Sequence, residues 1–137
     1  MKVGAVGLGN RAAHVFFELK KINPSYSLVA FVDPQPIGKK FAEENNFFPS
    51  TQYTTLEDML AVEKLDLLMV GSPNHLHLEH IKIGLEYGVR IFAEKPIVVN
   101  EEQTWQLAEL IKQYGRDKII VGLVLRSSQH ARSVAAL

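Results

Sequence analysis

The chain has 137 residues, 47% of them hydrophobic and 22% charged, which is enough to bury one sizeable core. Fifteen basic and fifteen acidic side chains give a net charge of zero, so nothing indicates nucleic acid or an acidic membrane surface as a partner. The absence of cysteine excludes disulfides, thiolate catalysis and cysteine-ligated metals. No apolar run approaches the roughly 18 residues of a membrane span. We therefore expect a soluble, cytoplasmic protein.

Short apolar runs alternate with segments of helical periodicity along the whole chain. Strands are predicted at residues 2–6, 27–32, about 52–53, 66–70, 90–93 and 118–125. Helices are predicted at residues 10–22, 36–45, 55–63, about 75–87 and from Asn100 to about Tyr114. Strands separated by helices run parallel, and strands that are apolar almost throughout are covered on both faces. The fold class is therefore α/β, a doubly wound parallel sheet of the Rossmann type with strand order 3-2-1-4-5-6.

Polar residues mark the expected helix starts, and a change in composition marks the expected domain boundary. Thr54 with Glu57 and Asn100 with Gln103 have the spacing of capping pairs, and Asn74 is the expected N-cap of the fourth helix. The composition changes after Leu125. We therefore assign residues 1–125 to one domain and residues 126–137 to the start of a second domain that the chain does not complete.

The first candidate site is the turn between the first strand and the first helix. Its residues are Gly7, Leu8, Gly9, Asn10, Arg11 and Ala12, with the pattern G-x-G-x-x-A. Gly7 permits a tight turn, Gly9 lets the backbone approach a pyrophosphate, and Ala12 allows close packing of helix on strand. The helix N-terminus attracts the anion. The alternative is a glycine turn without a ligand, so the strand, the helix and a downstream acid are needed to favour dinucleotide binding.

That acid is Asp33, which ends the second strand 24 residues after Gly9. A carboxylate at this place accepts hydrogen bonds from the adenosine ribose and repels a 2′-phosphate, which favours NAD over NADP. The alternative is an ordinary turn aspartate before Pro34. Arg11 and the pair Lys39-Lys40 leave NADP open.

A third segment, Ser72-Pro73-Asn74, follows the fourth strand, at the sheet edge where open α/β folds bind ligands. His75, His77 and His80 come directly after it, and His77 and His80 could share a helix face. No further ligand completes a metal site, so we expect no bound metal. The alternative interpretation is the start of a helix with solvated histidines.

The fourth segment is Glu94-Lys95-Pro96, at the end of the fifth strand. Neighbouring strand residues point to opposite faces, so Glu94 and Lys95 need not pair with each other. A lysine at an apolar crevice can bind or protonate a substrate oxygen. The alternative, a surface ion pair at a strand end, is equally compatible with position alone.

Together these motifs resemble the Gfo/Idh/MocA family of NAD(P)-dependent oxidoreductases. The matching segments are residues 7–12, 31–33, 72–77 and 88–96, and the resemblance covers nearly all of residues 1–126. It implies that Lys95 is a catalytic residue at the substrate hydroxyl, with a cis peptide bond before Pro96. It also implies cofactor contacts beyond the glycine turn and Asp33, at Ser72, Pro73, Asn74, His77, Glu94, Lys95 and Pro96.

The resemblance implies an intact enzyme that transfers hydride between a hydroxyl carbon of a sugar or polyol and NAD(P), and that forms a homo-oligomer. Two alternatives stay open, a non-catalytic NAD(P)-binding regulator and a glycoside hydrolase that uses NAD transiently. The family places further catalytic residues in a second domain. We therefore expect this chain alone to bind cofactor without turning over substrate.

Overall fold

A computed structural model describes residues 1–49 and 51–123. The strands are β1 (Lys2–Val6), β2 (Ser27–Val32), β3 (Thr51–Gln52), β4 (Leu67–Val70), β5 (Arg90–Ala93) and β6 (Ile119–Val121). The helices are α1 (Asn10–Ile22), α2 (Lys39–Glu44), α3 (Leu56–Val62), α4 (His77–Glu86) and α5 (Glu101–Tyr114). Two short 3-10 turns, Asn74–Leu76 and Arg116–Lys118, precede α4 and β6.

All six strands run parallel in one sheet, in the order β3-β2-β1-β4-β5-β6. This confirms the fold class and the strand order expected from the sequence. The chain moves outward from β1 to β3 and returns to place β4 on the other side of β1. The turns after β1 and β4 therefore leave on opposite faces, and a crevice opens between them at the carboxyl edge.

The core has two layers, one on each face of the sheet. One layer surrounds Phe16 of α1, and the other surrounds Met59 of α3 and Ile81 of α4. All four residues of β4 are buried, because helices cover both of its faces. In contrast, α5 contains no buried residue and its Trp105 is 69% exposed. The well-packed centre of the sheet thus lies directly under the crevice.

Several element bounds differ by one to three residues from the sequence-based expectation. The helix expected from Pro36 begins at Lys39, because Gly38 turns back to donate its N–H to the carbonyl of Leu8 at 3.0 Å. The third strand lies one residue earlier than expected. The last strand begins at Ile119, because the 3-10 turn occupies Arg116–Lys118. Its expected end at residues 124–125 lies outside the described residues, as does the expected second domain at 126–137.

The helix caps are partly as expected. Asn100 caps α5, with its Oδ1 accepting from the N–H of Gln103 at 2.8 Å. The cap of α3 is Thr55, which accepts from the N–H of Asp58 at 3.1 Å, so the prediction of Thr54 was wrong by one residue. Asn74 does not cap α4, because it begins the 3-10 turn and α4 starts only at His77. Within 1–49 and 51–123, no helix is long and apolar enough to cross a membrane.

Candidate functional site

The turn after β1 is held by backbone contacts that only glycine permits at position 7. Gly7 donates its N–H to the carbonyl of Val32 at 2.8 Å and has φ of +82°. A Cβ at this position would collide with the backbone of Gly71 and Ser72. Gly7 thus lets the turns after β1 and β4 come into contact, as the sequence predicted for a tight turn.

Gly9 has a different environment, although it belongs to the same motif. Its backbone is extended, and an added Cβ would meet no protein atom within 4 Å. The protein's own packing therefore does not require glycine here. A Cβ would instead fill open space beside the first amides of α1, from Asn10 to Ala12, which donate to no acceptor in the described part of the chain. This arrangement suits an anion that approaches the backbone closely.

Two further glycines shape the turn, and the sequence motif did not single them out. A Cβ on Gly71 would lie 2.8 Å from the carbonyl oxygen of Gly7 and 3.3 Å from Cβ of Ala12. A Cβ on Gly38 would lie 2.6 Å from the carbonyl oxygen of Gly9. The position of Gly71 directly after a buried strand was a usable signal. The sequence around Gly38 carried no such signal, because its contact with the glycine turn forms only in the folded chain.

Asp33 lies beside the glycine turn at the end of β2, where the sequence placed it. Its Oδ2 accepts from the N–H of Leu8 at 2.7 Å, and its Oδ1 accepts from the N–H of Gln35 at 2.8 Å. The turn interpretation and the ligand interpretation are therefore compatible. Each carboxylate oxygen keeps a second acceptor position, so Asp33 can hold the glycine turn and still accept from a ribose hydroxyl.

The cations that left NADP open are engaged elsewhere. Lys39 and Lys40 form ion pairs along α2 with Glu43 and Glu44, at 3.6 and 4.0 Å. Arg11 points toward the opposite end of the crevice, where its Nε lies 3.3 Å from Oε1 of Glu94. Asp33 is the charged side chain that lines the two cavities at the end of β2.

The segment after β4 is organised by two histidines, His77 and His80. His77 is only 1% exposed, and its ring lies 2.7 Å from the carbonyl of Ser72 and 2.7 Å from the carbonyl of Pro96. Nδ1 of His80 lies 2.8 Å from the hydroxyl of Ser72. Burial lowers the pKa of His80, which favours its neutral form. The alternative of a helix start with solvated histidines is therefore wrong for His77.

The histidines do not converge on one point. His75 is exposed and lines a groove between α4 and α5, whereas His77 and His80 face the carboxyl edge. Among the residues that the structure describes, no group of three or more histidine, aspartate or glutamate side chains could hold a metal ion.

Glu94 and Lys95 point to different surroundings, as expected for adjacent residues at the end of a strand. Glu94 is buried, donates its N–H to the carbonyl of Val70 at 2.9 Å, and pairs through its carboxylate with Arg11. Lys95 is exposed and lines the crevice. The peptide bond between Lys95 and Pro96 is cis, as the family resemblance implied.

Three adjoining cavities follow the carboxyl edge from β3 to β5. The first, about 370 Å³, contains Asp33, Gln52 and Tyr53. The second, about 590 Å³, extends from Asp33 past Gly9 to Ser72. The third, about 350 Å³, contains Gly9, Arg11, Ala12, Gly71, Ser72, Asn74, His77, Glu94 and Lys95. Shared residues connect them into one elongated crevice, which brings most of the predicted site residues together.

A larger cavity, about 650 Å³, lies elsewhere, between α4 and α5 around Trp105 and Gln106. Of the predicted site residues, none lines it. Its walls are exposed helix surfaces without glycine turns or open helix amides. The chemistry of the donor groups therefore favours the carboxyl edge as the candidate site.

A parallel doubly wound sheet with a glycine turn, open helix amides and a carboxylate after β2 defines a dinucleotide-binding domain of the Rossmann type. The comparison with protein families makes this specific. The Gfo/Idh/MocA model, described as an oxidoreductase family with an NAD-binding Rossmann fold, matches residues 1–134. The chain belongs to this family, which confirms the resemblance seen in its motifs.

Characterised relatives and solved structures agree with this assignment. Inositol 2-dehydrogenase of Corynebacterium glutamicum (strain R) is 27% identical over 127 residues, which are 92% of this chain and 37% of the relative. D-glucoside 3-dehydrogenase of Escherichia coli (strain K12) is 26% identical over 116 residues, which are 85% of this chain and 33% of the relative. The crystal structure of scyllo-inositol dehydrogenase from Lactobacillus casei with NAD(H) and scyllo-inositol has a TM-score of 0.83 and 26% identity, covering 100% of this chain and 40% of that one. The chain thus spans about two fifths or less of the length of these relatives.

Proposed function

We propose that the chain is the cofactor-binding part of an enzyme that transfers hydride between a hydroxyl carbon of a sugar or polyol and NAD. The observation that carries the proposal is the continuous crevice from Asp33 past Gly9 to Lys95. The relatives named for inositol and glucoside dehydrogenation support the substrate class. The family's description as NAD-binding supports the cofactor.

Each part of the crevice is proposed to hold one part of the dinucleotide. The amides at the start of α1, beside Gly9, bind the pyrophosphate, because an extended Gly9 leaves room for it. Asp33 accepts from the adenosine ribose. The wall after β4, Ser72 to Asn74 with His77, lies at the nicotinamide end, next to Glu94, Lys95 and Pro96. When bound, NAD supplies the hydride-accepting ring.

Lys95 is proposed as the catalytic residue that this chain contributes. It is exposed to the crevice and forms no ion pair within the described residues, while its neighbour Glu94 is engaged by Arg11. An ammonium group in this position can donate a hydrogen bond to a substrate hydroxyl oxygen and stabilise negative charge on it as its carbon gives up hydride. The chain alone is proposed to bind NAD without turnover.

A second reaction class is favoured by one relative. The 2,7-anhydro-N-acetylneuraminate hydratase of Mediterraneibacter gnavus is 30% identical over 88 residues, which are 64% of this chain. A related cofactor domain thus occurs in a protein whose name describes no net oxidation. Assays of the full-length protein with sugars and polyols distinguish the cases, since a dehydrogenase accumulates NADH. A hydratase or NAD-dependent hydrolase yields product without net NADH, and a regulator binds NAD without any product.

Calorimetry on the chain tests the cofactor assignment directly. We expect NAD to bind, and we expect Asp33→Ala to weaken NAD by roughly 10-fold while weakening NADP less. The substitution also removes the bond to Leu8, but that damage to the glycine turn affects both dinucleotides alike. The ratio of the two affinities therefore reports the ribose contact. Equal losses would contradict the ribose assignment, and no binding of either at millimolar concentration would contradict the site.

Location in the cytoplasm and homo-oligomer formation stay predictions from the sequence and the resemblance.

A further inference from the structure

His77 is a polar ring in a place where an apolar side chain would be expected. It is 1% exposed at the start of α4, and the next residue, Leu78, is part of the buried core. Its two ring nitrogens lie 2.7 Å from two carbonyl oxygens, Nε2 from Ser72 and Nδ1 from Pro96. These carbonyls belong to two different turns, one after β4 and one after β5. A single buried ring therefore bridges the two turns that form the Lys95 end of the crevice.

The partners of the ring restrict its protonation state. A neutral imidazole has one N–H donor and one bare nitrogen, and a carbonyl oxygen can only accept. With a carbonyl at hydrogen-bond distance on each side, a neutral ring would face one of them with a lone pair. Only a ring that carries a proton on both nitrogens donates to both oxygens. The two distances also match the short range typical of charge-assisted hydrogen bonds.

His80, one turn further along α4, provides an internal contrast. Its Nδ1 contacts the hydroxyl of Ser72, which can donate as well as accept, so a neutral ring satisfies this contact. Burial lowers the pKa of His80, and its Coulombic interaction with His77 acts in the same direction. The charged groups that share the cavity with His77 are Arg11, Glu94 and Lys95.

The bridge matters because of where it attaches. The N–H of Glu94 bonds to the carbonyl of Val70, and the next fixed atom along the chain is the carbonyl of Pro96, held by His77. Within the described part of the chain, residues 95–98 form no other hydrogen bond. The backbone of Lys95 is thus fixed on its N-terminal side by the sheet and on its C-terminal side by the histidine.

We propose that His77 is a positioning residue, doubly protonated, which fastens the turn after β4 to the turn after β5 and so aims Lys95 into the crevice. The part that concerns the aim of Lys95 rests on the proposed function. The protonation of the ring and the joining of the two turns do not.

The first test uses the unsubstituted chain with 15N-labelled histidine. Long-range 1H–15N correlation spectra at pH 7 report whether each ring nitrogen carries a proton. We expect both nitrogens of His77 to be protonated, with slowly exchanging ring protons, and one nitrogen of His80 to be bare. A bare nitrogen on His77 would overturn the proposal. The outcome does not depend on NAD binding, and it requires no variant to fold.

The second test measures amide hydrogen exchange in His77→Gln. We expect exchange to be about 10-fold faster at Leu76 and Glu94, whose amides lie on the two joined turns, because a bond to a charged donor is lost at each turn. Exchange at Tyr53, whose amide donates to the carbonyl of Phe31 beside the edge strand β3, should be unchanged, which separates local loosening from global destabilisation. His75→Gln is the matched control, because His75 is exposed in the 3-10 turn directly before His77. This substitution should change exchange at none of the three amides.

Unchanged exchange at Leu76 and Glu94 in His77→Gln, or equal acceleration at all three amides, would overturn the joining role. Titration of NAD into the same samples keeps the two claims apart. If the ring of His77 is doubly protonated but NAD does not bind, the role of His77 in joining the two turns stands and the proposed function is contradicted. If NAD binds but the ring is singly protonated, the proposed function stands and the doubly protonated bridge is contradicted.

Discussion

The turn after β1 and the turns after β4 and β5 lie side by side at the carboxyl edge, but different interactions hold them. The first is built mainly from backbone, with Gly7 packed against Gly71 and donating to the carbonyl of Val32, and the carboxylate of Asp33 adds a side-chain contact at Leu8. The others depend on side chains, with His77 joining two carbonyls and His80 reaching the hydroxyl of Ser72. The backbone turn leaves its helix amides open, which suits a phosphate group. The side-chain-held turns fix a lysine, which suits proton handling.

Within the glycine turn itself, Gly7 and Gly9 also differ in what requires a glycine. Gly7 fits a positive φ and a close contact, so it is required for the fold, whereas a Cβ on Gly9 would meet open space, so the packing of the chain does not require glycine there. Substitution of Gly7 should therefore mainly lower the free energy of unfolding, whereas substitution of Gly9 should mainly lower the affinity for NAD.

The Gly7→Ala substitution should destabilise the chain by about 3 kcal/mol, because it combines an unfavourable φ with a collision against the backbone of the β4 turn. Urea unfolding followed by circular dichroism measures the loss. Gly9→Ala is the matched control, and its free energy of unfolding should fall by less than about 1 kcal/mol. Its affinity for NAD should nevertheless decrease. Equal destabilisation by the two substitutions would contradict the distinction between them.

The Ser72→Ala substitution should have a smaller effect on stability, about 1 kcal/mol, because it removes the contact with His80 and keeps the backbone carbonyl that His77 holds. The ring signals of His77 should stay unchanged in this variant. A loss as large as that of Gly7→Ala would mean that the hydroxyl, rather than the carbonyl, holds the turn. Urea unfolding and the histidine NMR spectrum together decide this.

The smallest expected effect is a dependence of stability on pH that comes from His80. Because burial lowers its pKa in the folded chain, the unfolded chain binds the proton more readily. Stability should therefore fall as the pH decreases from 6.5, the ordinary value, toward the lowered pKa, and level off below it. His80→Gln should remove this part of the slope, and His75→Gln should keep it. Identical slopes in wild type and His80→Gln would contradict the assignment.

Much of this account could be predicted from the sequence, for identifiable reasons. The alternation of apolar runs and helical segments determined the class and the strand order, because connection geometry allows few alternatives. The glycine turn and Asp33 were recognisable, since each has a local requirement that only a few residue types meet. Lys95 was placed correctly at the edge, because it ends a strand in a sheet whose carboxyl ends form the crevice.

What the sequence did not show depends on contacts between distant segments. Gly38 touches the glycine turn, and His77 reaches Pro96, 19 residues away. Neither contact leaves a periodic or local signal. His77 even belonged to a cluster that resembled a solvated helix start. The predicted start of α2 was wrong for the same reason. A hydrogen bond from the N–H of Gly38 to the carbonyl of Leu8 decides where the turn ends and the helix begins.

A titration of NAD into 15N-labelled chain, monitored by amide NMR signals, tests whether this chain binds NAD along the carboxyl edge of its sheet. We expect the shifts to concentrate at Gly9, Arg11 and Ala12 and to extend to Ser72 and Lys95. Shifts centred on Trp105 and Gln106, which line the larger groove between α4 and α5, would contradict it. So would the absence of any shift at millimolar NAD.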